Sequence, residues 1–483
     1  MSSFVKTTLL LTAICMTWTT ALSAEECAIG LPFPDNASPE KWIDGPDNVQ
    51  PGAGTRESDV AVDNEGRRIH VWATFNTHPD RLDVYLRRWD TAGNPLEDPR
   101  RVNSTILGEQ HYPRVAVSAD RSFLVIFQSS ETPSGETFDQ YMVRSQAYDA
   151  NGDPDGPEQL VSTVPTKEQV NTYADVAALR TADGSAGGYT VVWRNSELVG
   201  SNWGDIKGSL VSTAGVPGAE FVLNSTINGT ERRPSVTELP DGGFFVVWQT
   251  GPVMGRHFNS AGGPLGPDFQ ISTLPTALAT GWTDVAIGWD GRVLVVWEDV
   301  GAEDPPLPPP SNTEIRGRMF QFDASGNDLD PLGDDFRINN LFEGIQDYPR
   351  VAEFGPVGFL VIWSSDTVSA GPDTTQSIEG RVVSGNNAFD ADGDDVDDNQ
   401  VQFNVWDNNA GQNFPAAHGW YGRLATSWQS NTWDGEPEPD TINQIFLIGR
   451  DIEHCIFCDD FDWFSPATTD SLWRWTWVVP VEP

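Results

Sequence analysis

Residues 240–248 read Pro-Asp-Gly-Gly-Phe-Phe-Val-Val-Trp, a tight turn followed by an apolar strand that ends in tryptophan. Asp-Gly and Gly-Gly are typical of hairpin turns. The strand recurs six more times with an aromatic residue at its end, at residues 69–72, 124–127, 190–193, 294–297, 360–363 and 425–428. A shorter strand precedes most copies, as residues 115–117 and 285–287 show. The chain is therefore built from an internal repeat.

Each copy of this hairpin is followed by a third strand, a polar turn and a fourth strand. In the fifth unit these are residues 316–322, 323–327 and 336–339. Units of four short strands with a period of about 60 residues are typical of propeller blades. Apolar and polar residues alternate too little in these strands for one face of the sheet to be exposed to solvent. This favours sheets that are covered by other sheets on both faces. We predict an all-β fold, a seven-bladed β-propeller of four-stranded antiparallel blades.

Two other architectures fit the repeat less well. Tandem β-sandwich domains need about 100 residues and about seven strands each, and these units are too short. An open solenoid needs polar capping units at its ends, and the sequence has none that are recognisable.

The repeat also resembles known sequences. The pattern Gly-Gly-Phe-Val-Val-Trp followed by Phe-Asp-Ala-x-Gly-x-Pro-x-Gly is similar to a repeat of large secreted bacterial proteins, mostly of uncharacterised function. Residues 239–271 carry the pattern best, and it extends over residues 57–454. Residues 456–461, followed by Leu472 and Trp473, resemble a short tail of exported proteobacterial proteins. The resemblance implies an architecture and export, and it brings no catalytic residues.

The first 24 residues have the pattern of a secretory signal peptide. Lys6 gives a positive start, residues 9–14 begin an apolar segment, and small residues precede a cleavage site near Ala24. No later apolar run reaches the length of about 18 residues that a membrane span needs. We therefore expect a secreted or periplasmic protein. Its segments are 1–24 (signal peptide), 25–56 (closing the ring), 57–454 (the propeller) and 455–483 (a cysteine-containing tail).

Three cysteines remain after cleavage: Cys27, Cys455 and Cys458. In an oxidising compartment one disulfide is expected. It joins either the two C-terminal cysteines or Cys27 to one of them. A Cys-x-x-Cys redox or zinc site is the alternative, although zinc would need two further ligands.

The charge of the chain excludes whole classes of partner. The chain has 70 acidic and 29 basic residues, a formal charge of −41. Nucleic-acid binding needs Lys and Arg on phosphates, and an anionic membrane surface repels such a protein. We expect a monomer with a glycan or protein ligand.

The variable face of the propeller is the expected binding face. It carries the loops between second and third strands, which are long and irregular here, and such loops usually hold binding residues. Residues just before each first strand should line the central channel at this face. They are Asp59, Arg114, Asp175, Ser235, Asp284, Arg350 and Ala416. The charged members either bind a polar ligand or a cation, or pair between blades and close the channel.

Aromatic residues precede several of these positions. They are Tyr112, Tyr173, Trp282, Tyr348 and Phe414. Two interpretations stay open, a rim on which sugars stack and packing between neighbouring blades.

A run of carboxylates resembles a calcium loop, because acidic residues at alternate positions can converge on a hard cation. The candidate ligands are Asp390, Asp392, Asp394, Asp397 and Asp398. However, residues 389–393 occupy the repeat position of residues 322–326, which have no calcium pattern, so this part of the run also fits a regular blade turn. Calcium and a solvated turn therefore both remain interpretations of this segment.

Catalytic signatures are missing from the sequence. It has no nucleophile elbow, no His-Glu-x-x-His and no phosphate-binding glycine loop. His70 lies in an apolar strand and is read as a core residue rather than a ligand. We predict a secreted, non-enzymatic propeller that binds a glycan or protein partner through its variable loops. The alternative is a propeller-type polysaccharide hydrolase or lyase that uses carboxylates at the channel mouth, which would need an acid/base pair with perturbed pKa values.

Overall fold

The structure is a computed structural model. It describes residues 41–42, 55–75, 82–106, 108–131, 140–163, 169–197, 204–225, 231–273, 279–300, 313–322, 329–339, 344–355, 358–366, 377–383, 401–402, 412–420, 423–430 and 444–451. The predicted signal peptide, the three cysteines, the candidate calcium loop and most of the long variable loops lie outside these residues. No described residue lies in a helix long and apolar enough to span a membrane.

The described elements are 29 β-strands. The first half of the chain contains β1 (Lys41–Trp42), β2 (Thr55–Val62), β3 (Arg68–Phe75), β4 (Leu82–Trp89), β5 (Arg100–Arg101), β6 (Glu109–Val117), β7 (Phe123–Glu131), β8 (Gln140–Tyr148), β9 (Gln159–Leu160), β10 (Gln169–Arg180), β11 (Ala186–Glu197), β12 (Asp205–Val211), β13 (Phe221–Val222), β14 (Arg232–Glu238), β15 (Phe244–Gln249), β16 (Val253–Phe258) and β17 (Phe269–Gln270). The second half contains β18 (Ala279–Ile287), β19 (Arg292–Val300), β20 (Thr313–Phe322), β21 (Leu329–Pro331), β22 (Phe336–Arg337), β23 (Gln346–Glu353), β24 (Phe359–Ser365), β25 (Ser377–Val383), β26 (Val401–Gln402), β27 (Gln412–Trp420), β28 (Arg423–Ser430) and β29 (Gln444–Asp451).

The strands form seven antiparallel sheets, which we call blades one to seven in chain order. Six are meanders that begin at β2, β6, β10, β14, β18 and β23, and blade five has the extra short strand β21 beside β20. Blade seven has the order β1-β29-β28-β27, so that Lys41 and Trp42 pair with Leu447 and Phe446. A segment from the N-terminal side thus completes the last sheet. The predicted seven-bladed, four-stranded propeller is confirmed.

The core lies between blades because the second strands are apolar on both faces. Every residue of β15 is buried, and so is every residue of β24. Val192 and Val246 share a cluster between blades three and four, and Leu294 and Val361 share one between blades five and six. Alternate residues of one strand therefore pack against the preceding and the following blade, which explains the continuous apolar runs of the sequence.

An inter-blade contact that the sequence analysis missed accounts for part of the acidic composition. An acidic residue directly before the fourth strand accepts the backbone N–H of a residue that follows the fourth strand of the preceding blade. In blade five Asp335 accepts from Thr273 at 2.6 Å, and its other oxygen pairs with Arg316 at 2.8 Å. The equivalent acidic residues are Glu158, Glu220 and Asp268, each bonded to the preceding blade and paired with a cation of its own blade. These carboxylates hold neighbouring blades together.

Candidate ligand-binding site at the channel mouth

The first strand of every blade contains an irregularity just before the predicted channel residue. In blade one the pairing shifts by one residue between Arg56 and Asp59, and the other blades show a shift at the corresponding place. Such a bulge inserts an extra residue and changes the direction of the side chains that follow. The repeat therefore sets seven residues around the mouth at equivalent positions, two residues before each channel residue.

Six of these bulge residues have a left-handed backbone although none of the six is glycine. Their φ angles lie between 49° at Tyr112 and 58° at Glu57, with Tyr173, Arg233, Tyr348 and Phe414 in between. For residues with a β-carbon this conformation costs about 1–2 kcal/mol. It persists only where surrounding contacts enforce it, and such positions cluster at functional sites.

The predicted channel aspartates join blades in pairs. Each accepts, at 2.9 Å, the backbone N–H of the residue that follows the channel position in the next blade. The three bonds are Val115 to Asp59, Val236 to Asp175 and Val351 to Asp284. The aspartates of blades one, three and five are thus inter-blade clamps, whatever else they contact.

Ser235 connects two of these clamps. Its hydroxyl oxygen lies 2.8 Å from Asp175 Oδ2 and 2.9 Å from Asp284 Oδ1. A serine hydroxyl has one hydrogen, so both contacts are hydrogen bonds only when one carboxyl is protonated. Burial raises the pKa of Asp284, helped by the nearby charge of Asp175, and Arg350 opposes the shift.

Two arginines lie among the carboxylates. Arg350 Nη1 is 3.7 Å from Asp284 Oδ1, and its Nε donates to the Pro415 carbonyl at 3.4 Å. Arg114 donates to the carbonyl of Pro113 at 2.9 Å. Burial lowers the pKa of Arg350, and the positive charge of Arg114 adds to the effect, so that the two guanidinium groups lie close enough to repel.

The same two arginines also affect the pKa of the buried carboxyl of Asp59. Burial raises the pKa of Asp59 to about 6, although the charges of Arg114 and Arg350 and the N–H of Val115 act to lower it. The charge of the mouth therefore changes near neutral pH.

An arc of five aromatic rings covers this polar layer. The ring centroids are 5.9 Å apart for Tyr112 and Tyr173, 5.5 Å for Tyr173 and Trp282, 5.6 Å for Trp282 and Tyr348, and 4.4 Å for Tyr348 and Phe414. All five side chains are partly exposed. Arg233, at the bulge of blade four, lies with its guanidinium carbon 4.8 Å from the centre of Trp282. We call these five rings the aromatic arc.

Two small neighbouring cavities, open to solvent, lie at the mouth. Tyr112, Arg114, Trp282 and Arg350 line both. The other aromatic rings line one cavity each. A ligand at the mouth would therefore meet ring faces and guanidinium groups together.

A second group of carboxyls borders the arc at blades five and six. Glu298 accepts a hydrogen bond from the backbone N–H of Trp282 and feels the charge of Arg233, while burial raises its pKa. Burial also raises the pKa of Asp347 to about 7, and the charges of Glu298 and Asp366 add to this. Asp347 Oδ1 is buried without a hydrogen-bond partner among the described residues. This group can hold a proton near neutral pH.

The structure brings the predicted Asp59, Arg114, Asp175, Asp284 and Arg350 to one mouth, with Ser235 bridging two of them and Ala416 buried in blade seven. The sequence analysis missed Glu57 and Arg233, which occupy the bulge positions of blades one and four. Aligning the aromatic positions across all seven units would have found both. It also missed Glu298, which follows an ordinary core tryptophan and carries no signal of its own. The described residues contain no group of His, Cys, Asp or Glu able to hold a metal ion.

No protein-family model and no curated protein sequence matches the chain. Several solved structures are similar. A protein of unknown function from Dyadobacter fermentans is 11% identical over 83% of this chain and 100% of its own, with a TM-score of 0.40. A Streptococcus pneumoniae sialidase is 11% identical over 89% and 73%, with a TM-score of 0.43. A Penicillium chrysogenum α-L-arabinanase is 12% identical over 70% and 95%, with a TM-score of 0.42. At these values no residue's role transfers to this chain.

Proposed function

We propose that this protein is a non-enzymatic propeller that binds a glycan at its channel mouth, with the sugar ring lying on the aromatic arc. The observation that carries the proposal is the arc itself. Five partly exposed rings face two solvent-open cavities, and most are held there by a backbone conformation that costs energy. Sugars present both an apolar face and hydroxyl groups, which suits rings placed beside charged side chains.

The polar layer beneath the arc supports binding rather than catalysis. Asp59, Asp175 and Asp284 are each engaged by a backbone N–H of the next blade, and Asp284 also pairs with Arg350. A carboxylate held in this way cannot move toward a substrate without breaking a contact between blades. We also propose that the protein is exported, on the strength of its first 24 residues.

Substituting Trp282 by alanine tests the proposal. We expect the affinity for glycans that bind the native protein on a glycan array to fall at least tenfold, about 1.4 kcal/mol, because a stacking surface is lost. Isothermal titration with the selected glycan measures this loss.

Trp289 provides a matched control in the same blade. It lies in the turn between β18 and β19, at the opposite end of the sheet, and is 46% exposed. Trp289→Ala should keep native affinity. Equal losses in both variants, or an array on which the native protein binds no glycan, would contradict the proposal.

One observation favours the enzymatic alternative, a hydrolase or lyase acting on a polysaccharide. Asp347, with a pKa of about 7 beside Glu298, has the protonation behaviour of a general acid. We expect no turnover of polysaccharides that the protein binds, measured as reducing ends released. Turnover by the native protein that is abolished in Asp347→Asn would instead establish the enzyme.

A further inference from the structure

The two arginines at the mouth form an unusual pair. Both arginines line both cavities. Burial lowers the pKa of Arg350, and the positive charge of Arg114 lowers it further. Arg350 has a carboxylate partner in Asp284, at 3.7 Å, and this distance is long for a charge-assisted hydrogen bond. Arg114 donates to its neighbour's backbone carbonyl. Each guanidinium has five N–H donors, so both retain donors for a further acceptor.

The aspartates around the two arginines do not use all of the guanidinium N–H donors. Asp59, Asp175 and Asp284 each direct one oxygen to a backbone N–H of the neighbouring blade. The Ser235 hydroxyl lies within hydrogen-bond distance of both Asp175 and Asp284. The carboxylate oxygen nearest to Arg350 is Asp284 Oδ1, at 3.7 Å, and both arginines line the two cavities.

We propose that Arg114 and Arg350 bind the carboxylate of a sugar acid at the channel mouth, while the sugar ring lies on the aromatic arc. This rests on the proposed glycan binding and names its chemical class. The planar guanidinium group matches a carboxylate with two parallel hydrogen bonds. The ring centre of Trp282, which lines both cavities, lies 5.9 Å from the guanidinium carbon of Arg350, so the two groups are close enough for one sugar acid to contact both.

The ligand carries one carboxylate rather than many. The chain has a formal charge of −41, which repels a long polyanion. At physiological ionic strength charges are screened beyond about 8 Å, so a single carboxylate among the arginines feels mainly its immediate neighbours. A terminal sugar acid on an otherwise neutral glycan meets both conditions.

The local charge also gives the interaction a pH dependence. The charged groups around Asp59 are Arg114, Arg350 and Asp175, and the pKa of Asp59 is about 6. Below that pH Asp59 is neutral, so the mouth holds one negative charge fewer. The carboxylate of the sugar acid stays ionised above pH 5, as ordinary carboxyl groups do. The affinity of the protein for the sugar acid should therefore rise as the pH falls from 7.5 to 5.5.

The test compares D-glucuronate with its neutral methyl ester, which has the same ring, by titration calorimetry or ligand-observed NMR. We expect the native protein to bind glucuronate at least tenfold more tightly than the ester. In Arg114→Gln the affinity for glucuronate should fall to that for the ester. Arg121→Gln is the control, because Arg121 pairs with Glu65 on the turn side of the blades and should keep the preference. Arg114→Lys, which keeps the charge without the planar fork, should show an intermediate loss.

The outcomes separate the two proposals. Equal binding of glucuronate and its ester would overturn the arginine assignment and leave glycan binding intact. Acetate or sulfate binding as tightly as glucuronate would show a general anion site and overturn the assignment to a sugar acid. If Arg114→Gln still prefers glucuronate over the ester, the proposed role of Arg114 and Arg350 is wrong. Failure of both sugars, together with an array without glycan binding, would overturn both proposals.

Discussion

Replacing Asp284 by alanine is expected to lower the free energy of unfolding by about 3–5 kcal/mol, the usual cost of breaking a buried ion pair from one side. The carboxyl of Asp284 accepts from Val351 in blade six, contacts Ser235 in blade four and pairs with Arg350. Its loss leaves a backbone N–H without this acceptor and a buried guanidinium without its nearest carboxylate. Urea unfolding followed by tryptophan fluorescence measures the change.

Two further variants make this prediction specific. Asp284→Asn keeps the shape and one oxygen acceptor, so its stability should lie between those of the native protein and Asp284→Ala. Asp330, exposed in β21, is the control, and Asp330→Ala should change stability by less than about 0.5 kcal/mol. If the free energy of unfolding of Asp284→Ala lies within about 0.5 kcal/mol of the native value, then Asp284 is not a clamp between blades.

Replacing His70 by valine is expected to stabilise the protein by about 1–3 kcal/mol at pH 7, because it removes buried polar atoms that lack partners. His70 is fully buried, and neither ring nitrogen has a hydrogen-bond partner among the described residues. Five other blades have valine at the equivalent register position, namely Val125, Val191, Val246, Val295 and Val361. The substitution therefore restores the residue that the repeat uses.

The stabilisation should grow in acid. Burial, together with the nearby charge of Arg68, lowers the pKa of His70 from 6.5 to about 3 in the folded protein. The unfolded chain gains this proton below pH 6.5, whereas the folded protein resists it. The stability associated with neutral His70 is therefore full above pH 6.5 and is lost as the pH falls from 6.5 toward 3.

The measurement is the difference in unfolding midpoint between the native protein and His70→Val from pH 7.5 to pH 4. His418→Val is the comparison, because His418 Nδ1 accepts the N–H of Val62 at 3.1 Å and its loss should destabilise at pH 7. A pH-independent difference for His70→Val would show that His70 protonates normally in the folded state.

The sequence determined the architecture, because the fold rests on local and repeated signals. An apolar strand ending in an aromatic residue recurs in every unit, in most of them after a glycine-containing turn, and sheets with two apolar faces are stable only when stacked. The same repeat located the channel residues, since equivalent positions in equivalent blades face the same axis. It also assigned His70 to the core, although not its lack of hydrogen-bond partners.

Only the tertiary structure decided what the channel residues contact. The aspartates bond to blades about 60 residues away, and no local pattern encodes such a distance. The acidic residues before the fourth strands were part of the formal charge of −41 in the sequence and became inter-blade bonds in the structure. The bulges, which direct Tyr112 or Phe414 to the mouth, depend on pairing register. The direction of a side chain at a bulge is set by the pairing with the partner strand. The sequence alone therefore could not decide whether the aromatic residues pack between blades or face a ligand.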